Sequence, residues 1–228
     1  MRLRHRVTGW PRTVAEARVV QEQLRSRVRL GDGPRHLRLV AGGDLAYRPD
    51  GRWAWAAVVL LAFPEGRVVE SAVAAGPPAF PYVPGYLTFR EGPLLLAAFQ
   101  RLRRRPDLCL FDGHGLAHPR RFGLACHLGV LLGLPSIGCA KSLLVGEYRR
   151  PGPERGDWSP ILVDGEPAGA VVRTRARVNP IFVSPGHRVT VSGAVRWTLA
   201  CSRFRVPEPI RAAERLVNRL KRAHPTRC

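Results

Sequence analysis

An α/β fold, one mixed sheet with helices on its faces, is what this sequence predicts, and three observations carry the prediction. Three apolar runs follow one another at hairpin distance between residues 37 and 76. Helix-period and strand-like segments then alternate from residue 91 to residue 140. Two or three short strands and two helical segments close the chain, which gives antiparallel strands followed by an α-β-α-β stretch. The 228 residues suit one large domain or two small ones, the element pattern favours one, and a hydrophobic content of 45% supplies its core.

Thr13 is placed to cap a helix over 13–29, with Val14, Ala17, Val20, Leu24 and Val28 on one face. GDGP at 31–34 is a turn. LRLVAGGDLAY (37–47), WAWAAVVLLAF (53–63) and GRVVESAVAAG (66–76) read as strands, paired antiparallel because their connections are short. The prolines of FPYVPG (80–85) exclude an ordinary central strand or helix there, so a surface loop follows. EGPLLLAAFQRLRR (91–104) has helical spacing and begins on Glu91, the charge favoured at a helix N-terminus. PDLCLFD (106–112) and LPSIGCA (134–140) are strands on either side of a helix, RRFGLACHLGVLLG (120–133). Residues 149–160, rich in Pro, Gly and charge, read as an exposed loop within the domain. Strands at 160–164, 168–173 and 181–184 and helices at 190–204 and 208–223 complete the chain, without internal repeats.

Charge is the most informative bulk property. Lys and Arg number 37 against 17 Asp and Glu, a net charge of +20. Such a surface attracts polyanions, and nucleic acid is the commonest of them. A genome biased toward arginine codons accounts for the scarcity of lysine, which occurs only at 141 and 221, but not for the sign of the excess. No basic amphipathic helix dominates and no apolar run is long enough to span a bilayer, so a membrane is not the expected partner. The start, MRLRHRVTGWPRT, lacks the apolar core of a signal peptide, which suggests a cytoplasmic protein. Five cysteines, an odd number with no CxxC pair, are expected to be reduced and buried, Cys109 and Cys139 in strand-like runs.

Three carboxylates stand where strands end or loops begin: Asp44, Glu91 and Asp112. Each taken singly is as well explained by a cap or turn. Together, in a basic protein, they suggest a site for a hard, oxygen-seeking cation and phosphoryl chemistry. In DGHGLAHPRRFG (112–123), His114 and His118 have HxxxH spacing, but Gly113, Gly115 and Pro119 break the helix that zinc binding would need. Glycines after an aspartate admit a close ligand such as a flat base, and Arg120 and Arg121 are either phosphate contacts or solvated helix-start charges. Lys141, a compact ammonium in an arginine-rich chain, suits a phosphate or leaving-group oxygen. Tyr82, between Pro81 and Pro84, either folds back onto the core or is a ring stiffened for contact.

The runs AGGDLAY, PYVPGYLTFREGP, LFDGHGLAHPRRFGLACHLG, IGCAKSLLVG, NPIFVSPGHRV and PEPIRAAERL, in that order over about residues 10–222, together resemble the endonuclease V family of deoxyinosine-specific nucleases. The resemblance implies an RNase H-like fold and Mg²⁺-dependent cleavage, with Mn²⁺ able to substitute, of the second phosphodiester 3′ to the lesion. The products would carry 3′-hydroxyl and 5′-phosphate ends. It implies catalytic roles for Asp44, Glu91, Asp112 and Lys141, with Asp44, Glu91, Asp112 and Glu214 around the metal. Tyr82 matches the wedge tyrosine of a loop comprising Pro81, Val83, Pro84 and Gly85, while Leu87, Gly113, His118, Gly138 and Leu144 match positions near the base pocket. Two departures stand out: Glu214 occupies a place where the family usually carries Asp or His, and AGGD has glycine where a valine is usual before the aspartate. Glu214 is otherwise a solvated helical residue beside Arg211. The implied substrate is DNA containing deoxyinosine, single- or double-stranded, handled by a monomer. An inosine-specific endoribonuclease and a non-catalytic nucleic-acid-binding homologue are the alternatives, the second disfavoured by the intact carboxylates and Lys141.

Overall fold

The structure is a computed structural model that describes residues 9–224. Residues 1–8, with most of the basic start, and Cys228 lie outside the described residues. The chain runs α1 (Val14–Arg25), β1 (Leu39–Tyr47), β2 (Ala54–Ala62), β3 (Val68–Gly76), α2 (Leu87–Arg101), β4 (Leu108–Phe111), α3 (Leu124–Leu132) and β5 (Ser136–Ala140). It continues through β6 (Glu147–Tyr148), β7 (Trp158–Val163), β8 (Glu166–Val172), β9 (Ile181–His187), α4 (Val191–Ala200) and α5 (Glu208–Ala223).

The strands form one sheet in the order β3-β2-β1-β4-β5-β9-β8-β7-β6. Strands β1, β2 and β3 pair antiparallel, as their short connections predict. Strand β4 then lies parallel to β1, and β5 parallel to β4, so helices α2 and α3 are crossovers. Both helices cover the same face, where Leu95, Phe99, Leu124 and Leu128 pack with Phe111. On the other face α4 and α5 bury Val195, Ile210 and Ala213 against Val40, Leu110 and Ile137. This is the mixed, RNase H-like arrangement expected. Helix α5 sits directly on β1: a β-carbon at Gly42 would stand 2.0 Å from the carbonyl carbon of Pro209. At Gly43, the position of the missing valine, Leu95 and Phe111 fill the space, the nearest atom 3.0 Å from where a β-carbon would be. That double glycine therefore seats one helix on each face of the strand that carries Asp44.

Several boundaries differ from expectation for local reasons. Thr13 does cap α1, through a reciprocal bond pair with Glu16, but the helix ends at Arg25. Its buried residues are Ala17 and Gln21, while Val14 is exposed, because α1 rests on α3 and the Pro-rich loop rather than on the sheet. Helix α2 begins at Leu87, not Glu91, and carries Pro93 inside it. The cause is a cluster of Phe80, Tyr86 and Phe89 with Ala17, which locks the entry a turn earlier than the charge pattern suggests. Helix α3 starts only at Leu124, after Arg121 adopts a positive φ. The loop at 149–160 is shorter than expected, since β7 begins at Trp158, and the two-residue β6 was not foreseen. Cys109, Cys126, Cys139 and Cys201 are buried free thiols.

Candidate active site

Strand register assembles the site. Gly43 of β1 pairs with Phe111 of β4, so Asp44 and Asp112, one residue on, are neighbours where that parallel pairing stops. Strand β1 itself does not end near Asp44, as expected, but runs on to Tyr47 because Asp44 to Tyr47 stay paired with β2. Phe111 also pairs with Gly138 of β5, which ends at Ala140, and Lys141 leaves that third strand at the same end. Open α/β sheets bind ligands at this end. The Lys141 ammonium lies 2.9 Å from Asp112 Oδ2 and 3.7 Å from Glu214 Oε1. Glu214 thus faces the site from α5, while Arg211 pairs with Glu208 instead.

The electrostatics show negative charge short of partners. Burial, and then the charge of Asp112, push the Asp44 carboxyl up to about 7, against the pull of the Leu45 N–H and Lys141. Burial pushes Glu91 up to about 8, although the Tyr47 hydroxyl donates to its Oε1 at 3.0 Å. Burial opposes the charged form of Lys141, but its bond to Asp112 and the charges of Asp112, Glu214 and Asp44 outweigh that and raise it. Among the described residues no three His, Cys, Asp or Glu side chains are gathered tightly enough to grip an ion as they stand. What is present is a set of carboxylates, Asp44 and Glu91 among them desolvated, whose mutual repulsion Lys141, Arg90 and the Tyr47 hydroxyl relieve only in part. A hard divalent cation fits that donor chemistry.

A cavity of about 260 Å³ opens beside these groups. Asp112, Gly113, His118, Lys141 and Leu144 line it, with Tyr82, Val83, Pro84, Gly85 and Leu87. Gly138 and Pro81 are not on its lining. Gly138 acts from behind: a β-carbon there would come 2.5 Å from the Gly113 carbonyl oxygen, so glycine lets β5 support the Gly113 turn closely. Pro81 is exposed beside Tyr82. The Tyr82 ring is 71% exposed, which rules out folding back onto the core.

Two expectations about side-chain roles change. Arg120 and Arg121 precede α3 rather than opening it, and both guanidinium groups bond internally, Arg120 to the Gly85 carbonyl and Arg121 to those of Val163 and Pro167. His118 lines the cavity, yet both ring nitrogens are engaged. Its Nε2 donates to the Gly85 carbonyl at 2.9 Å and its Nδ1 accepts from the Arg120 N–H at 3.2 Å. Burial holds it neutral, down to about 4. It is therefore a strut of the loop. Sequence reasoning missed Tyr47, the partner of Glu91, and Gln21, whose only signal was an amide at a core-facing helical position.

The model of the endonuclease V family matches residues 22–215. The chain belongs to the endonuclease V family. Endonuclease V of Roseiflexus sp. (strain RS-1) is 53% identical over 210 residues, covering 92% of this chain and 94% of that protein. The crystal structure of the endonuclease V of Streptomyces avermitilis superposes with a TM-score of 0.89 at 46% identity, over 95% of this chain and 97% of that one. A Ciona intestinalis endonuclease V, solved in complex with a 24mer DNA containing an inosine followed by a ribo-adenosine, superposes with a TM-score of 0.82 at 29% identity, over 92% and 99%. As a member of that family the chain is an enzyme that cuts nucleic acid, as the motif resemblance implied.

Proposed function

We propose that this protein cuts DNA at the second phosphodiester bond 3′ to a deoxyinosine, in a Mg²⁺-dependent reaction leaving 3′-hydroxyl and 5′-phosphate ends. The observation that carries the reading is a shared wall: Asp112 and Lys141 belong both to the charged cluster and to the cavity. At about 260 Å³ the cavity is just below the roughly 300–1,000 Å³ of small-ligand clefts, room for one flat base. The complex of the Ciona relative with inosine-containing DNA supports the choice of base.

Asp44 and Asp112, with Glu91 and Glu214, would hold the cation, which supplies Lewis-acid stabilisation of charge on a phosphoryl oxygen. Lys141 places its ammonium beside Asp112, where it opposes the charge that develops as water attacks phosphorus in line. Gly85, Leu87, Gly113 and Leu144 would enclose the extruded base with apolar and backbone atoms. Tyr82, outward-facing between its prolines, would occupy the gap left in the stack. Along α5, Arg215, Arg219 and Arg222 are exposed on the side that follows Glu214, suited to successive phosphates.

The test uses end-labelled DNA strands with and without one inosine, and their RNA counterparts, in Mg²⁺, Ca²⁺ or EDTA. A single cut in the inosine-containing DNA, in Mg²⁺ alone, is expected. The variant Asp112→Ala should bind that DNA without cutting it. Cleavage indifferent to inosine would overturn the proposal, and faster cleavage of inosine RNA would shift the substrate to RNA.

A further inference from the structure

We propose that Gln21, on α1 and outside the quoted motif runs, is a positioning residue for the Tyr82 wedge, fixing the Gly85 hinge of the loop that carries it. The inference rests on the wedge role given to Tyr82 above. Gln21 is 1% exposed, and both ends of its amide are engaged. Its Nε2 donates to the Gly85 carbonyl at 3.0 Å and to the Phe122 carbonyl at 3.4 Å, while its Oε1 accepts from Arg120 Nε at 2.5 Å. Reversing the amide would set oxygen against two carbonyls and NH₂ against a guanidinium, so one orientation holds.

The Gly85 carbonyl receives a donor from each of three places: Gln21, Arg120 Nη2 at 2.7 Å and His118 Nε2 at 2.9 Å. A carbonyl oxygen has two lone pairs, so this peptide is over-determined. The need is clear from the backbone. Gly85 has a φ of +80°, and a glycine peptide otherwise rotates at little cost. Pro81 and Pro84 have no N–H with which to anchor the loop, and Tyr82 at its tip is mostly in solvent. Arg120 cannot do the work alone, since its guanidinium is kept over the Tyr86 ring, 4.2 Å from the centroid, with Gln21 on its Nε. Three residues at no more than about 3.3 Å each, shortened by the turn in which the Tyr86 N–H bonds to the Val83 carbonyl, put the Tyr82 backbone within about 10 Å of the hinge. A swing of about 20° there would carry the Tyr82 backbone by up to about 3 Å, and misplacements near 1 Å already cost on the order of 10²-fold in rate.

The experiment is a double-mutant cycle between Gln21 and Tyr82, read as the ratio of cleavage at inosine in duplex to that in single-stranded DNA, below saturation. Gln21→Leu is expected to lower the ratio roughly 10-fold, as Tyr82→Ala does, and to add less than about 2-fold in the Tyr82→Ala background. Gln21→Glu keeps an acceptor for Arg120 but loses both donors, and it should fall in the same direction. It decides the matter if the leucine variant does not fold, as thermal melting will show. An unchanged ratio in a folded variant, multiplicative losses in the cycle, or a ratio that ignores Tyr82→Ala would each overturn the inference. A wild-type enzyme without preference for inosine would instead overturn the proposed function.

Discussion

Asp44 and Glu91 illustrate at the scale of single residues how burial sets chemistry. Their carboxyls lie at about 7 and about 8 in the folded chain, against about 4 in an unfolded one. Between those values the folded state keeps protons that the unfolded state has lost, so the metal-free protein loses stability as pH rises from about 4 to about 8. Thermal melts in EDTA should therefore show a steeper decline over that window for the wild type than for Asp44→Asn. Parallel profiles would dismiss the assignment. A divalent ion must displace the same protons, so its affinity should rise with pH over the same range. Two further substitutions test the cluster. Lys141→Arg keeps charge but not the compact shape beside Asp112, and a rate loss on the order of 10²-fold with little change in DNA binding is expected. Glu214→Gln should raise the Mg²⁺ concentration giving half-maximal activity, and an identical titration would return Glu214 to a solvated helix position. Asp44 and Asp112 were legible in the sequence because each follows an apolar run, and Lys141 because it is one of only two lysines in an arginine-rich chain. Gln21 and Tyr47 were not, because their partners lie elsewhere in the chain.

Among elements, the loop from Phe80 to Gly85 shows how prolines and one hinge divide the work of presenting a ring. The prolines restrict the backbone before any substrate arrives, so little ordering entropy is left to lose on binding. Extruding a base costs a few kcal/mol, and stacking of an aromatic ring returns roughly 1–3 kcal/mol. Tyr82→Ala should thus slow cleavage of duplex inosine DNA by about 10-fold or more and affect single strands less, where no stacked partner is abandoned. Equal losses on both substrates would mean that the ring does not act as a wedge. Helix α2 teaches the complementary lesson. Its start at Leu87 follows from the burial of Phe80, Tyr86 and Phe89 together, a contact between segments that charge pattern alone does not reveal. As a result Glu91 is a second-turn residue bonded to β1 through Tyr47, rather than a helix-start charge.

For the molecule as a whole, the net charge of +20 predicts steep salt dependence of binding to undamaged DNA, as counterions are released from each phosphate engaged. Replacing Arg215, Arg219 and Arg222 together by Gln should reduce the log–log slope by about 2–3 while leaving the preference for inosine in place. An unchanged slope would remove α5 from the phosphate track. Among the described residues no helix is long and apolar enough to cross a membrane. The amino-acid sequence by itself determined the class of fold, the antiparallel first three strands and the identity of the charged residues. Apolar periodicity, turn residues and residue chemistry are local properties of the chain, and they survive without coordinates. Tertiary structure alone decided which of those residues meet: the register of Gly43 with Phe111 that sets Asp44 beside Asp112, the seating of α5 on Gly42, and the convergence of Gln21, His118 and Arg120 on one carbonyl. Each depends on contacts between distant segments, and burial, which exists only once those contacts form, is what shifts the carboxyls and spends the arginines.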